Sequence, residues 1–534
     1  MGWSVAFRNK LNNPAFTPEF QLDLLPNERS LGFRAYSKIG KVKVVNVALR
    51  GTSVIPSRWN VSFGGFTVTL QGDLREMFSR INKGDYAAVY CTVEGSRERV
   101  AVGQLKSITR RGFSQSFVLT FVDLLQALQT STRRNVGAQP TPSNVNPPQI
   151  PLFYTAGRST SLTANWSPTD TTLSVNTPSY FERETGKNGC IKVQDNNGPG
   201  PFFLEYASIA GSNLATTPNG GRAAYPSQRI EYQLHTAHNA TATHCVQLED
   251  HPADIIGKLI TSTGNGSNGP LDTLPASSSF GGTFTADLFD YNDSRISKRI
   301  IRGRTSSTYL WKLVFDAPPT NGIRNICDTA SKLGQWPVFR QGSVSWRGCF
   351  HPDGIGMNYN VAPQAFAPII GDADIVEIVS HDIFAQNQIN QYTVNRLFID
   401  NSTPPFGTGL SSVTSVNVRG GFAQALPQQQ EISRTSHFIY APASDEADQA
   451  QGDNDRMKAF DGYTFERLTL KLRLGFAGLV AGDLIAVTSR YLYGLNERAD
   501  QTFYQKRAMV TASSFDILSQ TCTIECVICS GSNV

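Results

Sequence analysis

The sequence predicts a mainly β protein with minor α content that is divided into several domains. Apolar and polar residues alternate with a period of two in many short segments, such as 66–70 and 468–474, which is typical of strands with one buried face. Helical spacing is confined to a few stretches, of which 74–81 and 322–333 are the clearest. The chain has 534 residues, several times the roughly 150 residues of an average domain, so more than one hydrophobic core is expected.

The surface of the protein is expected to be polar but weakly charged. Charged residues make up 17% of the chain, below the usual share of about 25%, and the net charge is +5. A charge this small over so many residues is too dilute for the clustered basic face that binds nucleic acid. The chain has 33 Arg and 15 Lys, and an excess of Arg over Lys is typical of protein interfaces. Composition therefore favours an assembly component.

No segment predicts a membrane span, a secretory leader or a disulfide framework. The most apolar stretch, 474–487, is interrupted by a Gly-Asp pair and is shorter than the roughly 20 apolar residues that a spanning helix needs. The first residues lack a basic segment followed by an apolar one, so we expect a soluble chain made in a cytoplasm, without stable membrane binding. The eight cysteines are scattered, which favours buried thiols. Cys522, Cys526 and Cys529 lie close together, but their alternating context predicts a strand rather than a metal site.

Composition and periodicity divide the chain into six segments. The clearest boundary is a proline-rich stretch without charge that separates two β-rich units. A unit of mixed α and β character follows, then a strand-rich region with a polar loop, and then the most regular alternation in the chain. The expected segments are an N-terminal β-barrel with one helix (1–134), a Pro-rich linker (135–154), an inserted β-module (155–246), a small α+β domain (247–350), a β-rich bridging region (351–464) with an exposed loop (441–455), and a C-terminal β-barrel or meander (465–534).

Turn residues predict how some neighbouring strands pair. Gly64 and Gly65, between two alternating stretches, indicate a hairpin, and Gln341-Gly342 indicates a second hairpin within 338–346. In the C-terminal segment, successive alternating stretches predict an antiparallel meander in which each strand pairs with the next.

The densest group of potential metal ligands contains four histidines and one cysteine within 17 positions. Imidazole and thiolate are good zinc ligands, and these residues would form two ligand pairs if the chain folded back on itself. The group spans a strand end and a domain junction and lacks the turn-anchored spacing of a zinc site. That context favours ordinary polar junction residues, with no metal and no other cofactor. The candidate ligands are His235, His238, His244 and Cys245, with His251 nearby.

Pairs of acidic residues are the other candidates for chemistry. Two carboxylates that flank a glycosidic bond can hydrolyse a cell-wall polysaccharide if their separation in space is suitable. Adjacent acids in polar loops are usually only solvated, and the chain has no nucleophile elbow, phosphate-binding loop, dinucleotide fingerprint or His-Glu-x-x-His motif. The sequence therefore favours a protein that is not an enzyme. The acidic groups are Glu249-Asp250 with Asp254, Asp372 with Asp374, and Asp445-Glu446.

One stretch resembles a small β-module that recurs in bacteriophage tail proteins. It contains a Thr-rich alternating strand (161–175), a Phe, a Gly-Cys-Ile-Lys-Val strand (189–193), a Glu-containing strand (204–214) and a late His. The chain departs from the module by an inserted turn-rich segment (195–201). It also has an Asn-Gly-Gly-Arg sequence (219–222) where the module usually has Thr-Arg-Gly.

A second set of motifs is similar to the tail or baseplate hub proteins of tailed bacteriophages, which resemble the hub part of type VI secretion spike proteins. The two resemblances together cover residues 155–350 and 465–530, and the order of the motifs adds to their weight. The hub-like motifs lie at 251–259, 323–334, 339–345, 479–488 and 507–510.

The hub resemblance implies a structural virion protein at the tail tip or baseplate, assembled in the cytoplasm of a bacterial host. Hub proteins of this family form a homotrimer whose tail-tube-like β-barrels close a pseudo-sixfold ring. The ring adapts a hexameric tail tube or distal tail protein to a spike, fibre or other baseplate protein, and it contacts DNA only in transit through its lumen. Two barrels in each of three chains, 1–134 and 465–534, would supply six units.

Two alternatives from other functional classes remain open. A tail-associated cell-wall glycan hydrolase would need a carboxylate pair whose substitution abolishes activity without disturbing assembly. A receptor-binding tail protein would bind glycans or cells as an isolated chain. Oligomeric mass with low-resolution imaging separates these possibilities, because a trimeric ring supports the hub and a monomer with a deep cleft favours an enzyme.

Overall fold

The computed structural model confirms the mainly β fold class with minor α content. Within the described part of the chain, no helix is both long enough and apolar enough to cross a membrane. The predicted linker (135–154) and, apart from Asp453, the predicted exposed loop (441–455) lie outside the described residues. The structure describes residues 3–13, 15–25, 33–37, 41–55, 60–79, 81–110, 115–123, 157–183, 187–198, 201–216, 233–252, 255, 310–316, 322–340, 343–348, 368–382, 389–400, 407–416, 430–436, 453, 465–493 and 503–529.

Seven of the nine strands described between residues 19 and 123 form a closed barrel, and the other two pair only with each other. The nine strands are β1 (Glu19–Leu25), β2 (Phe33–Tyr36), β3 (Val42–Arg50), β4 (Ser53–Ile55), β5 (Asn60–Ser62), β6 (Gly65–Gly72), β7 (Tyr86–Val93), β8 (Ser96–Arg110) and β9 (Ser116–Asp123). The order around the barrel is β2-β1-β7-β8-β9-β6-β3, with antiparallel pairing throughout. A parallel contact between Tyr36 of β2 and Lys43 of β3 closes the ring. Alternate side chains, including Leu22, Val47 and Val68, fill its fully buried core.

Two helices accompany this barrel in the part of the chain that the structure describes, where one was predicted. Helix α2 (Arg75–Phe78) lies within the predicted helical stretch 74–81, and its Met77 is buried. Helix α1 (Val5–Asn12) was not predicted. Phe7 is its one buried residue, so the apolar periodicity along this segment is too weak to indicate a helix.

The predicted hairpin about Gly64 and Gly65 is wrong. Strand β5 pairs with β4, whereas β6 pairs with β3 and β9. A Cβ atom on Gly64 would lie 1.7 Å from the carbonyl oxygen of Arg50, and one on Gly65 would lie 2.4 Å from that of Phe121. The two glycines therefore permit a close approach of neighbouring backbones instead of forming a two-residue turn.

A second sheet forms the core of the module predicted at 155–246. Its strands are β10 (Ser159–Ser161), β11 (Thr172–Ser174), β12 (Gly189–Gln194), β13 (Phe202–Ala210), β14 (Asn213–Thr216) and β15 (Thr241–Asp250). They follow the order β10-β15-β12-β13-β14-β11 around an apolar core that includes Trp166, Ile191 and Tyr206. Strand β15 continues past residue 246 and pairs there with β16 (Trp311–Phe315), so the expected boundary falls inside a strand.

The mixed α and β region that follows contains a helix and a hairpin, and the hairpin packs on the C-terminal sheet. The elements are α3 (Gly322–Lys332), β17 (Gln335–Arg340) and β18 (Ser343–Gly348). Strands β17 and β18 pair antiparallel, which confirms the predicted second hairpin. Trp336 donates a hydrogen bond from Nε1 to the carbonyl oxygen of Ala481 at 3.4 Å, and Arg347 lies 3.5 Å from the carboxylate of Asp483. These contacts hold the hairpin against the 479–483 turn.

The remaining strands form a small sheet and a larger barrel-like sheet. The small sheet contains β21, β22 and β23, with β21 at its centre, and the larger one contains the other six. The strands are β19 (Ile369–Ile370), β20 (Ile375–Asp382), β21 (Ile389–Asp400), β22 (Gly407–Val416), β23 (Gln430–Ser436), β24 (Phe465–Arg473), β25 (Leu484–Ser489), β26 (Phe503–Asp516) and β27 (Thr521–Cys529).

The predicted C-terminal meander is confirmed for β25, β26 and β27, which pair antiparallel in chain order, but it is wrong for β24. The order is β19-β25-β26-β27-β24-β20, so β24 pairs with the last strand of the chain and not with β25. A buried 3₁₀ turn at Leu474–Phe476 follows β24 and leads the chain away from it. Strands β19 and β20 belong to one segment, 369–382, which therefore pairs with both edges of this sheet.

Candidate assembly site

The N-terminal barrel and the barrel-like C-terminal sheet (the second barrel) are joined by direct pairing of β3 with β26. Residues 48–50 lie opposite residues 514–516 in antiparallel register, and the Gly51 N–H donates to the carbonyl oxygen of Ser513 at 2.9 Å. Strands β9, β6, β3, β26, β27 and β24 consequently form one unbroken sheet. Because backbone hydrogen bonds cross the junction, the two barrels form one structural unit.

Helix α1 forms a second bridge between the barrels. On one side, the Lys10 ammonium donates to the Ser96 hydroxyl at 2.8 Å and lies 3.5 Å from the Glu94 carboxylate. On the other, the side-chain oxygen of Asn12 accepts a hydrogen bond from the Gly475 N–H at 2.9 Å. A Cβ atom on Gly475 would lie 2.4 Å from that oxygen, so the close contact requires a glycine.

An open groove of about 570 Å³ follows the seam between the barrels. Its charged lining residues are Arg50, Lys471 and Asp516, which leaves a small positive excess. A surface with so few cations binds a phosphate backbone only weakly. The other polar lining side chains are short hydroxyls, from Ser62, Thr67, Thr120, Ser514, Ser519, Thr521 and Thr523.

Strand β20 presents exposed apolar side chains at an edge of the C-terminal sheet. Its register with β24 shifts at two bulges, which leave Val376 and Val379 without a residue opposite them. These valines are 54% and 51% exposed, whereas Ile378 packs against the core. Among the described strands, β20 pairs only with β24. An edge strand that exposes apolar residues is suited to pairing with another chain.

The sequence did not predict a histidine and carboxylate pair that links β20 to β24. His381 of β20 and Glu466 of β24 lie 2.9 Å apart through Nε2 and Oε2, and the Glu466 side chain is fully buried. The one available sequence signal was a Glu next to a strictly alternating strand. The partner lies 85 positions away, and only the β20–β24 register brings the two together.

The ends of the inserted module lie side by side. The Gly157 N–H donates to the carbonyl oxygen of His244 at 2.9 Å, and the His244 N–H donates to that of Arg158 at 2.8 Å. The chain thus enters and leaves the module on adjacent backbone segments. Adjacent entry and exit segments are common in units that are inserted into another fold.

His235 and His238 surround a buried carboxylate. Asp195 accepts hydrogen bonds from the backbone N–H groups of His235 and Asn197, at 2.9 and 3.0 Å, and its carboxylate lies 3.2 Å from His238 Nδ1. Burial opposes ionisation of this carboxylate, but the hydrogen bonds outweigh burial and lower the pKa of Asp195. These hydrogen bonds to Asp195 hold the turn-rich segment after β12 against the segment that leads into β15.

His244 and Cys245 point to opposite faces of β15, because successive strand residues alternate. His244 lies against the Phe181 ring, with ring centroids 5.9 Å apart, whereas Cys245 lies opposite Cys190 of β12. His251 lies in the next unit, edge-on to Trp346. The structure therefore does not bring the four candidate ligands together, and no group of three or more potential ligands is suited to a metal ion in the described part of the chain.

The acidic pairs within the described residues form local contacts. The Asp374 carboxylate accepts from the Gly371 N–H at 3.0 Å and shapes the turn before β20, while Asp372 lies 3.6 Å from Arg490. Asp250 lies 3.3 Å from the Lys187 ammonium. Asp254 and Asp445-Glu446 lie outside the described residues.

The C-terminal cysteines are strand residues. Cys522 and Cys526 are buried in β27, and their thiols donate to the carbonyl oxygens of Arg473 and Leu468. Burial raises the pKa of both thiols to about 12. These sulfur atoms belong to the barrel core.

Several solved structures are similar to the chain at low sequence identity. The chain is similar to a tail protein from Neisseria meningitidis, with 9% identity, a TM-score of 0.40, and coverage of 96% of this chain and 97% of the other. A prophage tail protein from Shewanella oneidensis has 9% identity and a TM-score of 0.37, with 96% and 98% covered. An Escherichia coli component of the type VI secretion system has 7% identity and a TM-score of 0.33, with 96% and 77% covered.

No protein-family model matches the chain, and no curated protein matches it in sequence. The solved structures similar to the chain include tail proteins and a type VI secretion component.

Proposed function

We propose that the protein is a structural hub of a bacteriophage tail tip or baseplate. In this role three copies form a ring that joins the tail tube, or a distal tail protein, to a spike, fibre or other baseplate protein. The particle is assembled in the cytoplasm of a bacterial host, and the hub has no catalytic role.

The observation that carries the proposal is the fusion of two barrels in one chain. The β3–β26 pairing and the Asn12–Gly475 contact hold the barrels at a fixed mutual position. A ring of six barrels then needs three chains, and half of its barrel contacts already exist within each chain. The interfaces between chains remain to be formed, and the exposed valines of β20 supply an apolar surface for them.

The seam groove suits the wall of a channel through which DNA passes. Short hydroxyl side chains and few cations line it, so each passing phosphate meets little attraction. A strongly basic wall would retain DNA by releasing its counterions, and ejection would be slow.

The proposal is tested by oligomeric mass and by substitution of the β20 surface. Native mass spectrometry of the purified chain is expected to give three times 58.4 kDa, and negative-stain images should show a ring. The double variant Val376→Lys, Val379→Lys should fold with an unchanged unfolding midpoint, because both side chains are exposed. It should give monomers where the natural chain gives trimers.

Ile209→Lys is the matched control. Ile209 is an apolar residue of the module, 37% exposed, and we place the module outside the ring. This variant should remain trimeric. A natural chain that stays monomeric at micromolar concentration would contradict the hub, and activity on purified cell wall would favour the hydrolase.

A further inference from the structure

Two buried thiols face each other at the centre of the module sheet. Cys190 of β12 and Cys245 of β15 are directly opposite in antiparallel register, and both are fully buried. The Cys190 side chain forms a hydrogen bond with the Cys245 thiol. Residues opposite each other in an antiparallel pair have Cα atoms about 4.5–5.5 Å apart, within the range of about 4.4–6.8 Å that a disulfide spans.

The thiols lie on the face of the sheet that points away from the module core. Ile191 and Ala242 belong to that core. Each is an odd number of positions from the cysteine on its own strand, so Cys190 and Cys245 face the other side of the sheet. On this side Lys192 pairs with Asp316 at 2.9 Å and is 28% exposed. Both charges of this ion pair act on the Cys245 thiol, so the pair lies near the sulfur atoms.

We infer that Cys190 and Cys245 form a disulfide when the protein meets an oxidising environment. With a small-molecule disulfide as oxidant, one cysteine thiolate attacks a sulfur of the oxidant and releases a thiol. The second cysteine thiolate then attacks the mixed disulfide and releases the second thiol. The two cysteines lose two protons and two electrons, and the external disulfide is reduced to two thiols.

The bond would tie together β12 and β15, two neighbouring inner strands of the module sheet. It closes the chain between residues 190 and 245, which includes β13 and β14. A cross-link of this span removes conformational freedom mainly from the unfolded state. The hydrogen bond to Cys190 and burial raise the pKa of Cys245, so few thiolates exist at neutral pH and we expect slow closure that accelerates with rising pH.

The experiment is peptide mapping of the purified full-length chain. The reduced protein is incubated with glutathione disulfide or, separately, with the smaller neutral oxidant diamide. It is then denatured in the presence of N-ethylmaleimide, which alkylates the remaining free thiols, and digested without reductant. Both oxidants should give one linked peptide pair that contains Cys190 and Cys245 and disappears with dithiothreitol. Amide hydrogen exchange in β12 and β15 should slow by at least roughly tenfold in the oxidised protein.

Cys522 and Cys526 are the internal control. They are equally buried but lie on one strand, four positions and roughly 13 Å apart, so they should be recovered alkylated. Cys522→Ser should keep the Cys190–Cys245 link, and Cys190→Ser should leave Cys245 alkylated. Recovery of both Cys190 and Cys245 as alkylated thiols from the natural chain after both oxidants would overturn the inference, as would a link from either to another cysteine.

Discussion

His244 makes the stability of the module depend on pH. Its side chain is buried against Phe181, and among the described residues its Nδ1 has no hydrogen-bond partner. Burial lowers the pKa of His244 from 6.5 to about 4. Below pH 6.5 the unfolded chain binds a proton that the folded module does not, so stability is complete above 6.5 and falls as the pH drops toward 4. The loss should reach about 3 kcal/mol.

This prediction is checked by hydrogen exchange of the β12 and β15 amides in the full chain, measured in urea at pH 7 and at pH 4.5. The natural chain should lose protection at the lower pH, and His244→Leu should lose much less. His235→Leu is the control, since His235 is only half buried in the same module, and it should respond to pH as the natural chain does. An equal response from His244→Leu would show that other groups are responsible.

At the same scale, the candidate metal site shows how far sequence reasoning reaches. The alternation rule alone separates His244 from Cys245, because adjacent residues of a strand point to opposite faces. The carboxylate that binds His238 could not be found this way. Asp195 lies 43 positions earlier, in a segment that the sequence marks only as an insertion, and long-range packing brings the two together.

At the scale of elements, Gly475 is predicted to be essential for the bridge between α1 and the C-terminal sheet. In Gly475→Ala the new Cβ atom would displace the Asn12 side chain and break its hydrogen bond with the Gly475 N–H. We expect a loss of about 1–2 kcal/mol in the free energy of unfolding. Urea denaturation of the full chain measures this loss.

Gly371→Ala is the control for the glycine substitution, because the nearest atom to its new Cβ would be 3.9 Å away. The double variant Asn12→Ala, Gly475→Ala removes the clash together with the hydrogen bond. It should be more stable than the sum of the two single effects predicts, because both variants break the same contact. Strict additivity would show that Gly475 acts independently of Asn12.

Element types follow from local patterns more reliably than element partners do. Alternation predicted the strands at 66–70 and 468–474, but the partners expected for both were wrong. Local turn residues cannot show that β6 is enclosed by β3 and β9, or that a buried turn after β24 leads the chain to the far edge of its sheet. Such pairings depend on contacts that are distant in sequence.

At the scale of the whole molecule, backbone pairing crosses the expected domain boundaries. Strand β3 of the first barrel pairs with β26 of the second, and segment 369–382, expected in a bridging region, pairs with both edges of the C-terminal sheet. Composition and periodicity locate changes in local character, and a strand shared between two units produces no such change. The chain is therefore a continuous framework of two joined barrels, with the module attached through adjacent ends.

Those adjacent ends define how the module can be removed. Arg158 and His244 are opposite each other, so a two-residue Asn-Gly turn can join them and replace residues 159–243. His244 and the rest of β15 must remain, because residues 246–250 pair with β16. If the module lies outside the ring and binds neighbouring tail proteins, the shortened chain should still form trimers, with three times the mass of one shortened chain, while particle assembly fails. Native mass spectrometry measures the first outcome, and complementation of a phage that lacks the gene measures the second.

Insertion of Asn-Gly after Gly211, at an exposed turn of the intact module, is the control and should preserve both trimers and particles. Loss of trimers in the shortened chain alone would place the module within the ring contacts.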